Sequence, residues 1–350
     1  MAVSATGLAY ALVVLLAILL IISILQVIQA VHAIRRSNAG QPTAPRVSLI
    51  LLVTATAALT LGYAFDIMVV ALTLVTGSEA PPPSQAYLVG VVITTFLAQG
   101  LAPTLIYASA SRVIDERKEI SGLQSKDTSS AKRRQLMRWT EVFLFFAFPL
   151  LITAYLGVFC KAVLDTPVVV SKFHAWLNVA NGLYRAAIVA HAFLFQRLAT
   201  RAISFHLFSK SHDVRDPIMH QPILYHLTPC MFVRTAALFV FTPLASSFAT
   251  AKTPASATAL LLAFTFFVGL STAFGAQSLI GAARRPASQW APPKTTGEQE
   301  VHNEEVPDAD APPAPGAPRR KHSRSNSIVL SPTRTNFSQG VHVQEETVTH

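Results

Sequence analysis

Long apolar blocks dominate the chain, and short polar segments separate them. A bilayer core about 30 Å thick needs about 20 apolar residues at a rise of 1.5 Å each. Seven blocks reach that length, and we expect each to cross the membrane as a helix. The predicted spans are residues 8–32, 47–75, 87–111, 139–164, 173–195, 222–248 and 254–282. The pattern predicts an all-α integral membrane protein, a seven-transmembrane-helix bundle.

The distribution of basic residues predicts the orientation of this bundle. Lys and Arg accumulate in the short loops that stay in the cytoplasm. The loops after the first, third and fifth blocks hold fifteen Lys and Arg residues, whereas the opposite loops hold Lys161, Lys172 and Lys252. This asymmetry predicts an extracellular N-terminus and a cytoplasmic C-terminus, and we expect the plasma membrane as the location.

Residues 284–350 differ in composition from the transmembrane domain, residues 1–283. All residues of 311–318 except Gly316 are Pro or Ala, and acidic residues cluster within 298–310. Such a segment cannot bury enough apolar surface to offset its chain entropy, so we expect a disordered cytoplasmic tail. Serines follow a basic cluster at 319–324; phosphorylation there would cancel attraction to an anionic leaflet. One hypothesis is regulatory phosphorylation, and the alternative is a plain solvated tail in which the serines have no special role. The candidate serines are Ser323, Ser325, Ser327 and Ser331.

Composition agrees with a membrane protein and narrows the chemistry. Charged residues make up 13% of the chain, against about 25% in soluble domains. The net charge is +10, but the basic residues lie in short loops and in the tail and not on a folded face, so no nucleic-acid partner is expected. Two cysteines exclude a disulfide scaffold. No metal-binding, phosphate-binding or nucleophile motif occurs, so we expect no catalytic residues, no metal, no cofactor and no enzyme activity.

Three charged residues lie well inside the predicted spans, away from their ends: Asp66, Arg185 and Arg234. A charge in hydrocarbon costs about 2.5–3.5 kcal/mol or more, so such residues face the bundle interior and need partners. We therefore hypothesise an ion pair between Asp66 and either Arg185 or Arg234. A purely structural role for these charges remains the alternative.

Polar residues also form rows on two helices. The fifth block carries a stripe with spacings of four, three and four residues, which places its members on one helix face; they are His174, Asn178, Asn181 and Arg185. The third block carries Gln99, Pro103 and Tyr107, and a proline there frees a backbone carbonyl. These rows predict a polar chamber among helices two, three, five and six, with polar packing alone as the alternative.

Two other polar residues are interpreted as structural. His191 lies off the polar stripe and is expected to be a packed or interfacial histidine. Glu141 lies at the cytoplasmic edge of the fourth block, where it can neutralise the neighbouring Arg138 and favour the helix N-terminus.

Three segments carry a resemblance to a known family: Leu61-Gly62-Tyr63, Leu101 to Ala108 followed by Ser111 to Ile114, and Phe232-Val233-Arg234. They resemble segments of the fungal seven-helix lipid-translocating exporter (RTA-like) family. Members of that family are seven-helix proteins with an extracellular N-terminus that are linked with resistance to membrane-active compounds. The resemblance implies a fungal protein that handles lipids. The positions that would inherit this function are Gly62, Tyr63, Pro103, Tyr107 and Arg234.

The leading functional hypothesis is a protein that translocates or senses a lipid or small amphiphile through the polar chamber. Arg185 and Arg234 would hold an anionic head group, and Asp66 would balance their charge. The path would be lined by Asn178, Asn181, Gln99 and Tyr107. One alternative is a receptor-like protein that couples to a cytoplasmic signalling partner through its basic loops. Another is a membrane scaffold without a ligand.

Overall fold

The computed structural model describes residues 5–38, 45–76, 85–120, 128–165, 170–211, 219–248 and 254–285, and these are almost entirely helical. The seven helical units are α1 (Ala5–Asn38), α2 (Arg46–Thr76), α3 (85–120), α4 (Thr128–Asp165), α5 (Val170–Ser211), α6 (219–248) and α7 (254–283). They belong to one compact unit, Met1–Lys294. The second unit, Thr295–His350, lies outside the described residues and contains the four serines of the phosphorylation hypothesis.

The seven helices coincide with the seven apolar blocks, but several are longer than predicted. Helix α3 continues to Ile120, α4 begins at Thr128, and α5 continues to Ser211. These helices extend beyond the predicted spans, which end or begin at 111, 139 and 195, because an apolar block marks only the part suited to hydrocarbon. Beyond it, Arg, Lys, Glu and Leu are good helix formers and no proline interrupts these extensions.

Six helices contain a stretch that is long and apolar enough to cross a membrane. These stretches are Thr6–Ser37, Arg46–Leu74, Leu88–Glu119, Arg138–Leu164, Gln221–Pro243 and Ala255–Ala283. Helix α5 is not among them because its polar stripe and two arginines, Arg197 and Arg201, lower its hydropathy. Six such helices are compatible with a multi-pass membrane protein.

Apolar side chains cover much of the outer surface of the bundle. On α4 the exposed fractions of Phe143, Phe146 and Leu150 are 68%, 72% and 69%. A soluble monomer rarely exposes a continuous apolar surface of this kind, so the distribution of exposed side chains is compatible with an integral membrane protein.

Helices α4 and α5 pack antiparallel and are joined at both ends. At one end Arg201 forms an ion pair with Glu141 at 2.7 Å. At the other, Lys161 Nζ lies 4.6 Å from the centre of the Trp176 ring. Twenty residues separate Glu141 from Lys161, which is about 30 Å of helix and equals the thickness of a bilayer core. We name the two sides of the bundle the Arg201 end and the Lys161 end.

Helices α2 and α3 approach closely along their length. Near the Arg201 end the hydroxyls of Ser48 and Ser109 are 2.7 Å apart. Towards the Lys161 end Gly62 faces Ala98, and a Cβ added to Gly62 would lie 3.0 Å from the Ala98 Cβ. The missing side chain at Gly62 lets the two helices approach closely beside the site described below.

Gly62→Leu is expected to lower the free energy of unfolding by about 1–3 kcal/mol, because the new side chain must push α2 and α3 apart. Gly157→Leu on α4 is the matched control, since a Cβ at Gly157 meets nothing within 4 Å. Thermal unfolding of both variants in the same detergent tests this. Equal melting temperatures for the two variants would contradict the close packing of α2 on α3.

Candidate functional site

Two π-helical segments contribute residues to the wall of one small cavity inside the bundle. One is Thr95–Leu101 in α3 and the other is Thr265–Gly269 in α7. Single π-helical turns are frequent at functional sites because they disturb the regular backbone hydrogen bonds. In α3, Pro103 has no N–H to donate to the carbonyl of Gln99, four residues before it. That carbonyl instead accepts a hydrogen bond from Arg234 Nη2 at 3.3 Å.

Arg234 of α6 is the largest fully buried side chain, with an exposed fraction of 1%. Its Nε donates to His191 Nε2 at 3.3 Å. Its Nη1 donates to Thr272 Oγ1 at 2.6 Å and to the Val268 carbonyl at 3.5 Å. With the bond to the Gln99 carbonyl, four of the five guanidinium N–H groups have acceptors.

The charge of Arg234 has no carboxylate partner in the part of the chain that the structure describes. All of its acceptors are neutral oxygens or an imidazole nitrogen. One N–H of Nη2 has no acceptor among the described residues. A buried cation of this kind is costly unless it is paired, so the site has an unused capacity for a negatively charged or strongly polar group.

The contacts of His191 fix its protonation state. Because Nε2 accepts from Arg234, the ring proton lies on Nδ1, which is 3.4 Å from Thr235 Oγ1. Thr235 uses its own proton to bond the Met231 carbonyl at 2.8 Å, so its oxygen is free to accept. The Tyr107 hydroxyl, 3.4 Å from Nε2, is a second donor to that nitrogen. His191 is therefore a neutral imidazole that supports the guanidinium without adding charge.

A cavity of about 40 Å³ lies beside Arg234. One water molecule needs about 10–15 Å³ on this scale, so about three would fit. We name it the Arg234 cavity; its polar wall includes Tyr63, Asp66, Gln99, Arg234 and Thr272. Asp66 and Arg234 thus share one cavity, yet no ion pair between them is present within the described ranges.

The Arg234 cavity lies in the half of the bundle nearer the Lys161 end. His191, the partner of Arg234, is ten residues from Arg201 on α5, which is about 15 Å and thus near mid-depth. Asp66 is eighteen residues beyond Ser48 on α2, which is about 27 Å further towards the Lys161 end. The cavity therefore extends from the middle of the bundle towards that end.

Five residues that the sequence singles out meet at this site. Tyr63, Asp66, Gln99 and Arg234 line the cavity, and Tyr107 lies behind it against His191, with ring centres 5.3 Å apart. Gln99 is also held in place, because the hydroxyl of Tyr184 donates to its side-chain oxygen at 3.1 Å.

The predicted polar stripe of α5 is not part of this site. It faces outward, since His174, Asn178 and Arg185 are exposed and Asn181 is partly buried. None of the four lines the Arg234 cavity. Arg185 lies six residues from His191, about 9 Å closer to the Lys161 end. The structure places it neither beside Asp66 in an ion pair nor at the depth of Arg234.

His191 and Thr272 are the site residues that the sequence interpretation missed. His191 was expected to be packed, and it is fully buried, but its contacts make it the central acceptor of the site. The signal was present in the apolar face of α5: Ala187, His191, Leu194 and Leu198 follow helical spacing and are all buried.

A second polar cluster lies at the Arg201 end and joins three helices. Arg201 of α5 bonds both carboxylate oxygens of Glu141 in α4, at 2.7 and 2.8 Å. It also bonds Asp115 and Ser111 of α3, and Ser111 bonds Glu141 in turn. Glu141 therefore pairs across the bundle with Arg201, whereas the sequence interpretation chose its neighbour Arg138. We name these four residues the Arg201 cluster.

Comparisons with known protein families, with curated proteins and with solved structures find no match to this chain. The resemblance to the lipid-translocating exporters therefore stays a prediction from the sequence. The fold and the site define the class only: an all-helical bundle, compatible with a multi-pass membrane protein, that encloses a buried cation beside a small polar cavity.

Proposed function

We propose that this chain is a seven-helix integral membrane protein that binds the polar group of a lipid or small amphiphile in the Arg234 cavity. The observation that carries this proposal is the buried guanidinium of Arg234, which has no carboxylate partner among the described residues and one unused N–H. Ionised side chains in membrane interiors commonly mark substrate pathways. The family resemblance supports lipid as the ligand class, and the protein would translocate or sense it.

Helix α5 is the proposed seventh span. Sixteen residues separate Arg185 from Arg201, which is about 24 Å and most of a bilayer core. Arg201 is neutralised by Glu141 and Asp115. Arg185 would lie close enough to the Lys161 end for its long side chain to reach the head groups.

The proposed orientation places the Arg201 end in the cytoplasm. Exposed basic residues lie at that end on α1, α2 and α3, namely Arg35, Arg36, Arg46 and Arg112. This agrees with the preference of Lys and Arg for the cytoplasmic side. The N-terminus would then be extracellular, the plasma membrane the location, and the Arg234 cavity would lie in the outer half of the bilayer.

The size of the cavity limits what it binds. About three water molecules fill it, so it accepts a polar group and not a whole amphiphile, whose chain would remain among helices and lipid. The polar group can bind, and the protein can sense it, without any rearrangement of the helices around the cavity. Translocation would additionally require His191 and Tyr107, which contact each other behind Arg234, to move apart.

Uptake of fluorescent phospholipids by cells with and without the protein tests this proposal. We expect Arg234→Gln to abolish the protein-dependent part of uptake, because the only buried cation of the cavity wall is lost. Arg185→Gln is the control, since Arg185 is exposed and lies away from the cavity. Unchanged uptake over several lipid classes, with equal behaviour of wild type and Arg234→Gln, would contradict lipid handling.

The Arg201 cluster favours a receptor-like signalling protein as the second candidate. It holds the ends of α3, α4 and α5 together, and α5 also carries His191 in the candidate site. A ligand that displaces His191 would shift α5, which also carries Arg201. The shift would therefore reach the cytoplasmic surface. Co-purification of a Gα subunit that is lost when residues 121–127 are replaced would favour this candidate. If no Gα subunit co-purifies with the protein, this form of coupling is excluded.

A further inference from the structure

The geometry points to a compact zwitterion, with an ammonium and an acidic group a few bonds apart, as the ligand of the Arg234 cavity. This inference rests on the proposed function and names the chemistry of its ligand. It follows from two opposite charges, Asp66 and Arg234, that line one small cavity without forming an ion pair.

Each end of the cavity offers what one half of such a ligand needs. At the inner end Arg234 has an unused N–H, and Thr272 and His191 hold its guanidinium in place. Nearer the Lys161 end the Asp66 carboxylate is partly buried and has no cationic partner among the described residues. An acidic oxygen would bind Arg234, and an ammonium would bind Asp66.

A ligand with a single charge fits this site less well. An anion would satisfy Arg234 but would be repelled by Asp66 in a low-dielectric environment. A cation would satisfy Asp66 and would be repelled by Arg234. A zwitterion pairs both groups and adds no net charge to the membrane interior, where uncompensated charge is costly.

The volume also favours a compact ligand. Space for about three water molecules corresponds to the few atoms of an amino-acid-like head. Two kinds of molecule can supply such a zwitterionic group: an amphiphile, as its head group, and a small free solute. The cavity accepts the head in either case.

Four probes bound to the purified protein in nanodiscs test the inference. N-dodecylglycine carries both charges, dodecanoate only the negative one and dodecylamine only the positive one, all on the same chain. We expect N-dodecylglycine to bind at least tenfold more tightly than either of the others. N-methylglycine, which has the head without the chain, separates the sources: binding at least tenfold weaker supports an amphiphile, and equal binding supports a free solute and contradicts the lipid proposal.

Asp66→Asn is expected to reverse the order of affinity for N-dodecylglycine and dodecanoate. The variant should bind N-dodecylglycine at least tenfold more weakly and dodecanoate more tightly than wild type, because the repulsion is gone while Arg234 remains. Arg185→Gln should keep the wild-type ranking, since Arg185 lies outside the cavity. The order of probe affinities of the wild-type protein is measured without any variant, so it tests the inference even if Asp66→Asn does not fold.

Two results separate the failure of this inference from that of the proposed function. If wild type prefers dodecanoate and Asp66→Asn leaves that preference unchanged, the zwitterion is wrong but amphiphile binding at Arg234 stands. If none of the probes binds wild type, the inference and the amphiphile site both fail.

Discussion

His191→Leu is expected to lower the free energy of unfolding by about 3 kcal/mol, more than its volume change alone would cause. The variant removes the acceptor that Arg234 Nε and the Tyr107 hydroxyl both use. A buried donor left without a partner costs about 1–3 kcal/mol, and more when it is charged. Here two donors lose their acceptor at once, and one of the two belongs to the guanidinium of Arg234.

A double-mutant cycle separates this cause from a simple packing defect. In the background of Arg234→Met the guanidinium is absent, so His191→Leu should cost clearly less than in wild type. Unfolding in mixed micelles of a non-ionic detergent and SDS gives the four free energies. His32→Leu on the exposed face of α1 is the control and should change little. A cost of His191→Leu that is the same with and without Arg234 would contradict the assigned hydrogen bond.

Arg201→Met is expected to have a comparable effect at the Arg201 end, again about 3 kcal/mol. The substitution leaves Glu141 and Asp115 near each other without the cation that joins them. Their repulsion acts on the contact of α3 with α4, and α5 loses its charged link to both. The effect is smaller than for a fully buried pair because the side chain of Asp115 is 42% exposed.

The same unfolding measurement tests this second prediction. Arg138→Met is the matched control, because Arg138 is an exposed arginine outside the Arg201 cluster. Glu141→Gln combined with Arg201→Met should recover part of the lost stability, since it removes one of the two repelling charges. Equal unfolding of Arg201→Met and Arg138→Met would show that the cluster contributes nothing to the packing of α3, α4 and α5.

A buried arginine without a carboxylate is an expensive feature of this fold. Replacing buried charges by well-packed apolar residues is often neutral or stabilising, so stability alone does not explain Arg234. His191, Thr272 and the Gln99 carbonyl instead hold the guanidinium at one position. Such fixed geometry is what a binding group requires, and it is the reason for assigning the site to a ligand.

Much of the architecture follows from the hydropathy pattern, because burial in hydrocarbon demands long apolar helices. The positions of the seven helices were therefore predictable, including α5 with its mixed character. Helix ends such as Ile120 and Thr128 were not, since outside hydrocarbon a helix continues wherever its residues permit. Six helices and not seven satisfy the criterion of length and apolarity, and α5 remains a proposed span.

The candidate site was predictable where a charge stood alone in an apolar block. Asp66 and Arg234 stand out for that reason, and the structure brings both to one cavity. The stripe from His174 to Arg185 faces outward and does not line the Arg234 cavity, because a polar row on one helix face suits an exposed surface as well as an interior. Of the two π-helical segments, Pro103 indicated a free backbone carbonyl in α3, whereas Thr265–Gly269 in α7 contains no proline and was not predicted.

Thiol accessibility tests the central claim, a polar cavity inside a membrane-embedded bundle, most directly. In a background with Cys160 and Cys230 replaced by serine, single cysteines are placed at Asp66 and at Leu150. A membrane-impermeant thiol reagent is then added to intact cells. Leu150 is 69% exposed and belongs to the exposed apolar surface of α4. We expect Asp66→Cys to react from outside and Leu150→Cys to stay unmodified until detergent is added; rapid reaction at Leu150, or none at Asp66 from outside, would contradict the account.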